Sequence, residues 1–291
     1  MNFVKMHGLG NDFIVIEAEW DDIDRFKPLA SILCNRHLGI GADGILLTGR
    51  SNRADLFMRV INPDGTEAEM CGNGIRCIAK YIYEHGIVKA PTLSILTPAG
   101  IRTVDLLVKG NEVQLVRVNM GQPVFELEKI PMVNVDKNCG IIQGLGNIFE
   151  ITALSMGNPH CVVFVEEIKS VPIDIWGPFL ENHQIFPRKT NVEFVQVLNR
   201  NQIIMRVWER GAGQTSACGT GACAAVVAAA LNGKTQRQVV VHLAYGELLI
   251  DWNAQDNHVY MTGPAEEIFR GKIPKQLYNE KLLRRSIVER E

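Results

Sequence analysis

The sequence predicts an α/β (α+β) protein of two pseudo-symmetric domains, each a curved, mostly antiparallel sheet or barrel around a central helix. Three observations predict it. The phrase CGNG at 71–74 returns as CGTG at 218–221, an offset of 147 residues in a chain of 291. The same offset carries Met58-Arg59-Val60 onto Met205-Arg206-Val207 and Gly10-Asn11 onto Gly157-Asn158. Each cysteine phrase also opens the one strongly helical stretch of its half, among many short runs rich in Val, Ile, Leu and Phe. A single period of this length means two domains rather than a solenoid.

In the first half, strands are expected over 12–17, 56–61, 92–97, 103–108 and 113–118. After CGNG, the residues Ile75, Ile78, Ala79 and Ile82 recur at helical spacing, and Gly86 is placed to cap the end. In the second half, strands are expected over 161–165, 192–197, 203–208, 239–243 and 247–251. After CGTG comes ACAAVVAAALNG, a helix of small apolar residues with no polar face, which must therefore be buried. It is too short to span a membrane. The expected boundaries are 1–119 for the first domain, with 263–274 returning to it, 120–262 for the second, and a charged tail over 275–291.

A net charge of −2 with 21% charged and 46% hydrophobic residues describes an ordinary globular chain with ample core. No basic stripe favours nucleic acid, and no membrane anchor or signal peptide is visible, so a cytoplasmic protein is expected. Seven cysteines form no even disulfide framework, and reduced thiols are the expected state.

A glycine-flanked turn entering a helix offers free N–H groups and the positive end of the helix dipole. Such a place binds a carboxylate and can hold a thiolate below the roughly 8.5 of a free thiol. Two such helices converging on one carboxylate would set Cys71 and Cys218 on either side of its α-carbon. That is the arrangement needed to invert a stereocentre, with one thiolate removing the α-proton and the opposing thiol returning one. The active site is therefore expected in the cleft between the domains. Cys34, Cys77, Cys139, Cys161 and Cys223 read as small core residues. Neither CGNGIRC nor CGTGAC has the short paired spacing of a structural zinc site, and no CxxC redox pair is present.

The segments KMHGLGNDF at 5–13, NPDGTEAEMCGNGIRC at 62–77, GNPH at 157–160 and WERGAGQTSACGTGAC at 208–223 closely resemble the diaminopimelate epimerase family. The resemblance runs to about residue 273. It implies an enzyme without pyridoxal phosphate or metal, interconverting LL- and meso-2,6-diaminopimelate on the route to lysine and peptidoglycan precursors. It also implies a homodimer, with the region of Phe269 as the candidate interface. By matching motif it implies Cys218 as the base toward the LL isomer and Cys71 as the opposing acid. It implies substrate contacts from Asn11, Asn62, Gly72, Asn73, Asn158, Asn191, Glu209, Arg210, Gly219 and Thr220, with His160 and Glu209 tuning the thiols.

The 147-residue offset aligns Asn11 with Asn158, Asn62 with Glu209, Asn73 with Thr220 and Gly44 with Asn191. Arg210 aligns with Pro63, so one half alone supplies this cation, which suits the distal carboxylate of a long substrate. Gly44 stands where many members of the family carry glutamine, and Gln214 where an acid is commoner. Two other readings remain: a proline or hydroxyproline racemase of related fold, and a non-catalytic thiol redox or metal-binding protein.

Overall fold

The structure is a computed structural model that describes residues 1–277; of the charged tail expected over 275–291, residues 278–291 lie outside the described residues. The described residues form two compact units, Met1–Val118 together with 264–277, and Asn119–Gly263.

In the first unit, strand Asn2–Gly8 pairs antiparallel with both Asn11–Glu17 and Glu266–Lys272, so the last strand closes against the first. Helix α1 (Ile23–Leu33) then carries the chain across to Gly44–Arg50, which lies parallel to Asn11–Glu17. Leu56–Ile61 pairs antiparallel with Gly44–Arg50 and, after helix α2 (Gly72–Glu84), parallel with Thr92–Thr97. Two further antiparallel strands, Gly100–Lys109 and Glu112–Asn119, complete the unit.

The second unit repeats that order of pairings. Asn147–Ser155 pairs with Cys139–Gly144 and with Pro159–Phe164. Helix α3 (Ile173–Glu181) crosses to Asn191–Asn199, parallel to Pro159–Phe164. Gln202–Glu209 follows antiparallel, helix α4 (Gly219–Leu231) crosses to the parallel strand Gln238–Leu243, and Gly246–Trp252 and Val259–Gly263 finish a meander.

The strand period of two explains how each sheet serves two helices. In Gly44–Arg50, Ile45 and Leu47 join Ile14, Ile16, Phe26, Leu29 and Leu33 in the core under α1. Leu46, between them, turns the other way and meets the first turn of α2 at Gly74. In Asn191–Asn199, Val192 and Phe194 join the core under α3, with Phe149, Ile173 and Leu180. Helix α4 is touched by strands around most of its circumference and is buried at ten of its positions, from Gly219 to Ala229. It is the central helix that its composition demands.

Two expectations need correction. Among the described residues each half contains two α-helices rather than the single strong helix expected. Pro28 inside α1 and Gly177-Pro178 inside α3 break the usual helical signal, yet the apolar faces pack well enough to outweigh them. Cys139 is exposed rather than a core residue, because it begins the edge strand Cys139–Gly144. No helix among the described residues is long and apolar enough to cross a membrane.

Candidate active site

Both cysteines of the repeated phrase cap a helix. Cys71 has extended backbone at the start of α2, and its Sγ accepts the N–H of Gly74 at 3.3 Å. It is partly exposed. Around it, Asn11 Oδ1 accepts a hydrogen bond from Asn73 Nδ2 at 3.0 Å and lies 3.9 Å from Cys71 Sγ. Asn11 is held in that orientation because its Nδ2 donates to Asp43 Oδ2 at 2.8 Å. Asp43 is braced in turn by Arg36, which also pairs with Asp12. Burial opposes the charge on Asp12, but hydrogen bonds from Arg36 and Lys5 outweigh it and bring its carboxyl down to about 2.

One turn into α2, Arg76 is wholly buried. It donates to the carbonyls of Pro264 and Gly72 and to Asn73 Oδ1, each at 3.0 Å. A guanidinium so close to the positive end of a helix is unfavourable alone; three acceptors offset it. Arg76 also fixes the Asn73 amide, so it shapes the surroundings of Cys71 although it was not picked out from the sequence. In the sequence Arg76 shares a helix face with Asn73 and Lys80, beside the apolar stripe of Ile75, Ile78, Ala79 and Ile82. Asn62 lies in a tight turn, its Nδ2 donating to Thr66 Oγ1 at 3.0 Å.

In the second unit Cys218 is buried at the start of α4, its Sγ 3.5 Å from Thr220 Oγ1. Burial raises its thiol well above the ordinary range, and the carboxylates of Glu209 and Glu193 raise it further. Glu209 is itself raised by burial, although hydrogen bonds from Thr215 and Cys218 oppose the shift. Beneath the same first turn, His160 Nδ1 lies 2.7 Å from Glu193 Oε1, both side chains wholly inaccessible. His160 Nε2 lies 3.0 Å from Asn158 Oδ1.

Asn191 is buried. Its Nδ2 donates to the Pro159 carbonyl at 2.8 Å and its Oδ1 accepts the N–H of Arg210 at 2.9 Å. Glu181 accepts the next N–H, from Gly211, at 3.0 Å. These contacts hold the turn that presents the exposed Arg210 side chain, whose Nη1 reaches the Arg188 carbonyl at 3.4 Å. Gly44, aligned with Asn191, has no room to change: a Cβ there would lie 2.9 Å from the Ile61 carbonyl oxygen.

Thus the structure places Asn11, Gly72 and Asn73 around Cys71. In the second unit it places Thr220, Gly219 and Glu209 around Cys218, with His160 and Asn158 on the adjoining strand end. Sequence reasoning missed Arg76, Asp43 and Glu193. Glu193 alternates with Val192 and Phe194 along its strand, so it faces away from the core under α3 and is buried on the α4 side. Among the described residues, no group of three or more His, Cys, Asp or Glu side chains is arranged to hold a metal ion.

The fold is shared with solved structures whose sequences are far from this one. A phenazine biosynthesis protein of the PhzF family from Bacillus anthracis aligns with a TM-score of 0.67 at 14% identity, covering 94% of this chain and 99% of that one. A probable proline racemase from Agrobacterium radiobacter K84 aligns with a TM-score of 0.69, also at 14% identity, covering 94% and 92%. At such identities the likeness is one of fold. The sequence comparisons are closer: the diaminopimelate epimerase of Moorella thermoacetica is 54% identical over 277 residues, covering 94% of this chain and 99% of the relative. That of Pelotomaculum thermopropionicum is 53% identical over 281 residues, with the same coverage. The sequence profile described as diaminopimelate epimerase matches residues 3–126 and 152–268, and the chain belongs to that family of isomerases.

Proposed function

We propose that the chain interconverts LL- and meso-2,6-diaminopimelate by a two-base mechanism that uses Cys71 and Cys218 and no cofactor. The observation that carries it is the repeated placement of a cysteine as the N-cap of a helix, in a chain of this family. Toward the meso isomer, the Cys218 thiolate takes the α-proton, and the electron pair of the broken C–H bond moves into the α-carboxylate. The helix-start N–H groups hold the charge that gathers there. Cys71 then delivers its thiol proton to the opposite face, leaving Cys71 as thiolate and Cys218 as thiol; the reverse reaction exchanges the roles.

Glu209, hydrogen-bonded to the Cys218 thiol, is placed to accept its proton and prepare the thiolate. Asn11, Asn62, Gly72, Asn73, Asn158, Asn191, Glu209, Gly219 and Thr220 contact the substrate, and Arg210 takes its distal carboxylate. Arg210→Lys therefore raises KM with little change in kcat; an unchanged KM rejects the assignment. We further place the enzyme in the cytoplasm as a homodimer joined through Glu266–Lys272, whose Ile268 and Phe269 are about half exposed. Sedimentation of a single-chain species at micromolar concentration would exclude the dimer.

The function is tested by incubating the protein with LL-diaminopimelate in deuterated water. Inversion with deuterium at the α-carbon is expected. No inversion of diaminopimelate alongside turnover of proline would transfer the activity to the racemase reading.

A further inference from the structure

His160 donates or accepts at both ring nitrogens, and its two partners decide which. Nδ1 lies 2.7 Å from Glu193 Oε1, and a carboxylate oxygen only accepts. Nε2 lies 3.0 Å from the Oδ1 of Asn158, and an amide oxygen also only accepts. With the Asn158 oxygen toward the ring, this geometry calls for hydrogen on both nitrogens, an imidazolium beside the Glu193 carboxylate in a site where neither side chain is exposed. The carboxylate lies against the first turn of α4, where a Cβ on Gly221 would come within 2.7 Å of Oε1. The positive end of that helix favours the negative charge. Glu193 Oε2 is buried with no hydrogen-bond partner among the described residues, so the pair with His160 and the helix end carry its stabilisation.

We propose that Glu193 is a positioning residue whose charge sets the polarity of the Asn158 amide. By keeping Nε2 of His160 protonated, it holds Oδ1 of Asn158 against the ring and turns the Nδ2 donor pair away from it. The substitution Glu193→Gln replaces the charge with a neutral amide. Nδ1–H of the ring then still donates, now to the amide oxygen, but the proton leaves Nε2. A bare nitrogen faces an amide oxygen, and Asn158 must rotate to bring Nδ2 toward the ring. The group left for a ligand changes from a donor to an acceptor, which repels a carboxylate.

The other half solves the same problem differently. The aligned positions for His160 and Glu193 are Phe13 and Leu46, both buried and apolar. Asn11, aligned with Asn158, is oriented directly by Asp43 instead. The inference rests on the reading that Asn158 contacts the substrate, and the test separates the two claims.

In protein labelled with 15N-histidine, His160 in the free wild-type enzyme is expected to show both ring nitrogens protonated at neutral pH. In Glu193→Gln one remains protonated and the other becomes bare, and KM for LL-diaminopimelate rises about 10- to 100-fold with kcat changed less. A neutral His160 in the wild type would overturn the proposal, as would an imidazolium that survives Glu193→Gln. If the ring changes as expected but KM does not, the charge still sets the histidine, and the assignment of Asn158 to the substrate is wrong. A loss confined to kcat marks a smaller folded fraction and also overturns the polarity role. The wild-type spectrum decides the first point even if Glu193→Gln fails to fold.

Discussion

Helices α2 and α4 begin at the same place in two copies of one topology, yet the groups beneath their first turns differ in charge. Under α2, the aligned strand supplies Leu46, and the helix itself buries the guanidinium of Arg76. Under α4, the strand supplies Glu193 with His160, and Glu209 reaches the thiol from a neighbouring strand. Cys223 stands where the first half has Arg76. The backbone path is common, and the side chains facing the helix starts have diverged. A cation stands near one thiol and carboxylates near the other, so two cysteines that look equivalent in the sequence meet unlike surroundings.

The largest expected effect tests whether both halves are needed. Cys71→Ala and Cys218→Ala should each lower inversion of LL-diaminopimelate by at least about a thousandfold, read as optical change in deuterated water. Inversion that persists in either variant would remove one half from the reaction. Next comes Arg76→Met, which removes three hydrogen bonds, two of them buried, and should cost about 3 kcal/mol in urea denaturation, with no counterpart cost in Cys223→Ser of that size.

The glycine of each cysteine phrase offers a matched pair. A methyl group at Gly221 would meet a fixed, ion-paired carboxylate oxygen at 2.7 Å, whereas one at Gly74 would meet the flexible end of Leu46 at 2.9 Å. Gly221→Ala should therefore destabilise by about 2–3 kcal/mol and Gly74→Ala by about 1 kcal/mol, both read from urea denaturation. Equal costs would mean that the leucine and the ion pair yield alike.

The smallest effect is electrostatic. Burial first, then Glu209 and Glu193, raises the Cys218 thiol, so it stays protonated well above neutral pH. Glu209→Gln removes a neighbouring negative charge and should move the pH midpoint of Cys218 alkylation downward, measured by mass spectrometry in a Cys71→Ala background. Cys34 and Cys77, pushed up to about 12 by burial, should stay unlabelled over the same range. A midpoint unmoved by Glu209→Gln would show that burial alone sets this thiol.

The repeat, the two central helices and the capping cysteines were legible because each rests on local pattern: spacing, glycine, and an apolar run. Gly86 and Gly233, with positive φ just past α2 and α4, are legible for the same reason. Helices α1 and α3 were hidden, since proline inside a helix is tolerated only when the packed face outweighs it, and packing is a tertiary fact. Arg76, Asp43 and Glu193 were hidden more deeply. Each acts on a residue that pairs with it only through the fold, and a charged side chain in a string of letters reads as surface until a strand's alternation turns it inward.

The strand Glu266–Lys272 lies beside Asn2–Gly8, and the N-terminal amine donates to the Ile273 carbonyl at 3.1 Å. During synthesis this reverses the order of completion. The ribosome finishes the second unit at Gly263 while the first, begun earlier, still lacks an edge. Until residue 272 emerges, Asn2–Gly8 offers an unpaired rim to any passing strand, so a pause in translation near residue 263 would expose the nascent chain to mispairing at the end made first.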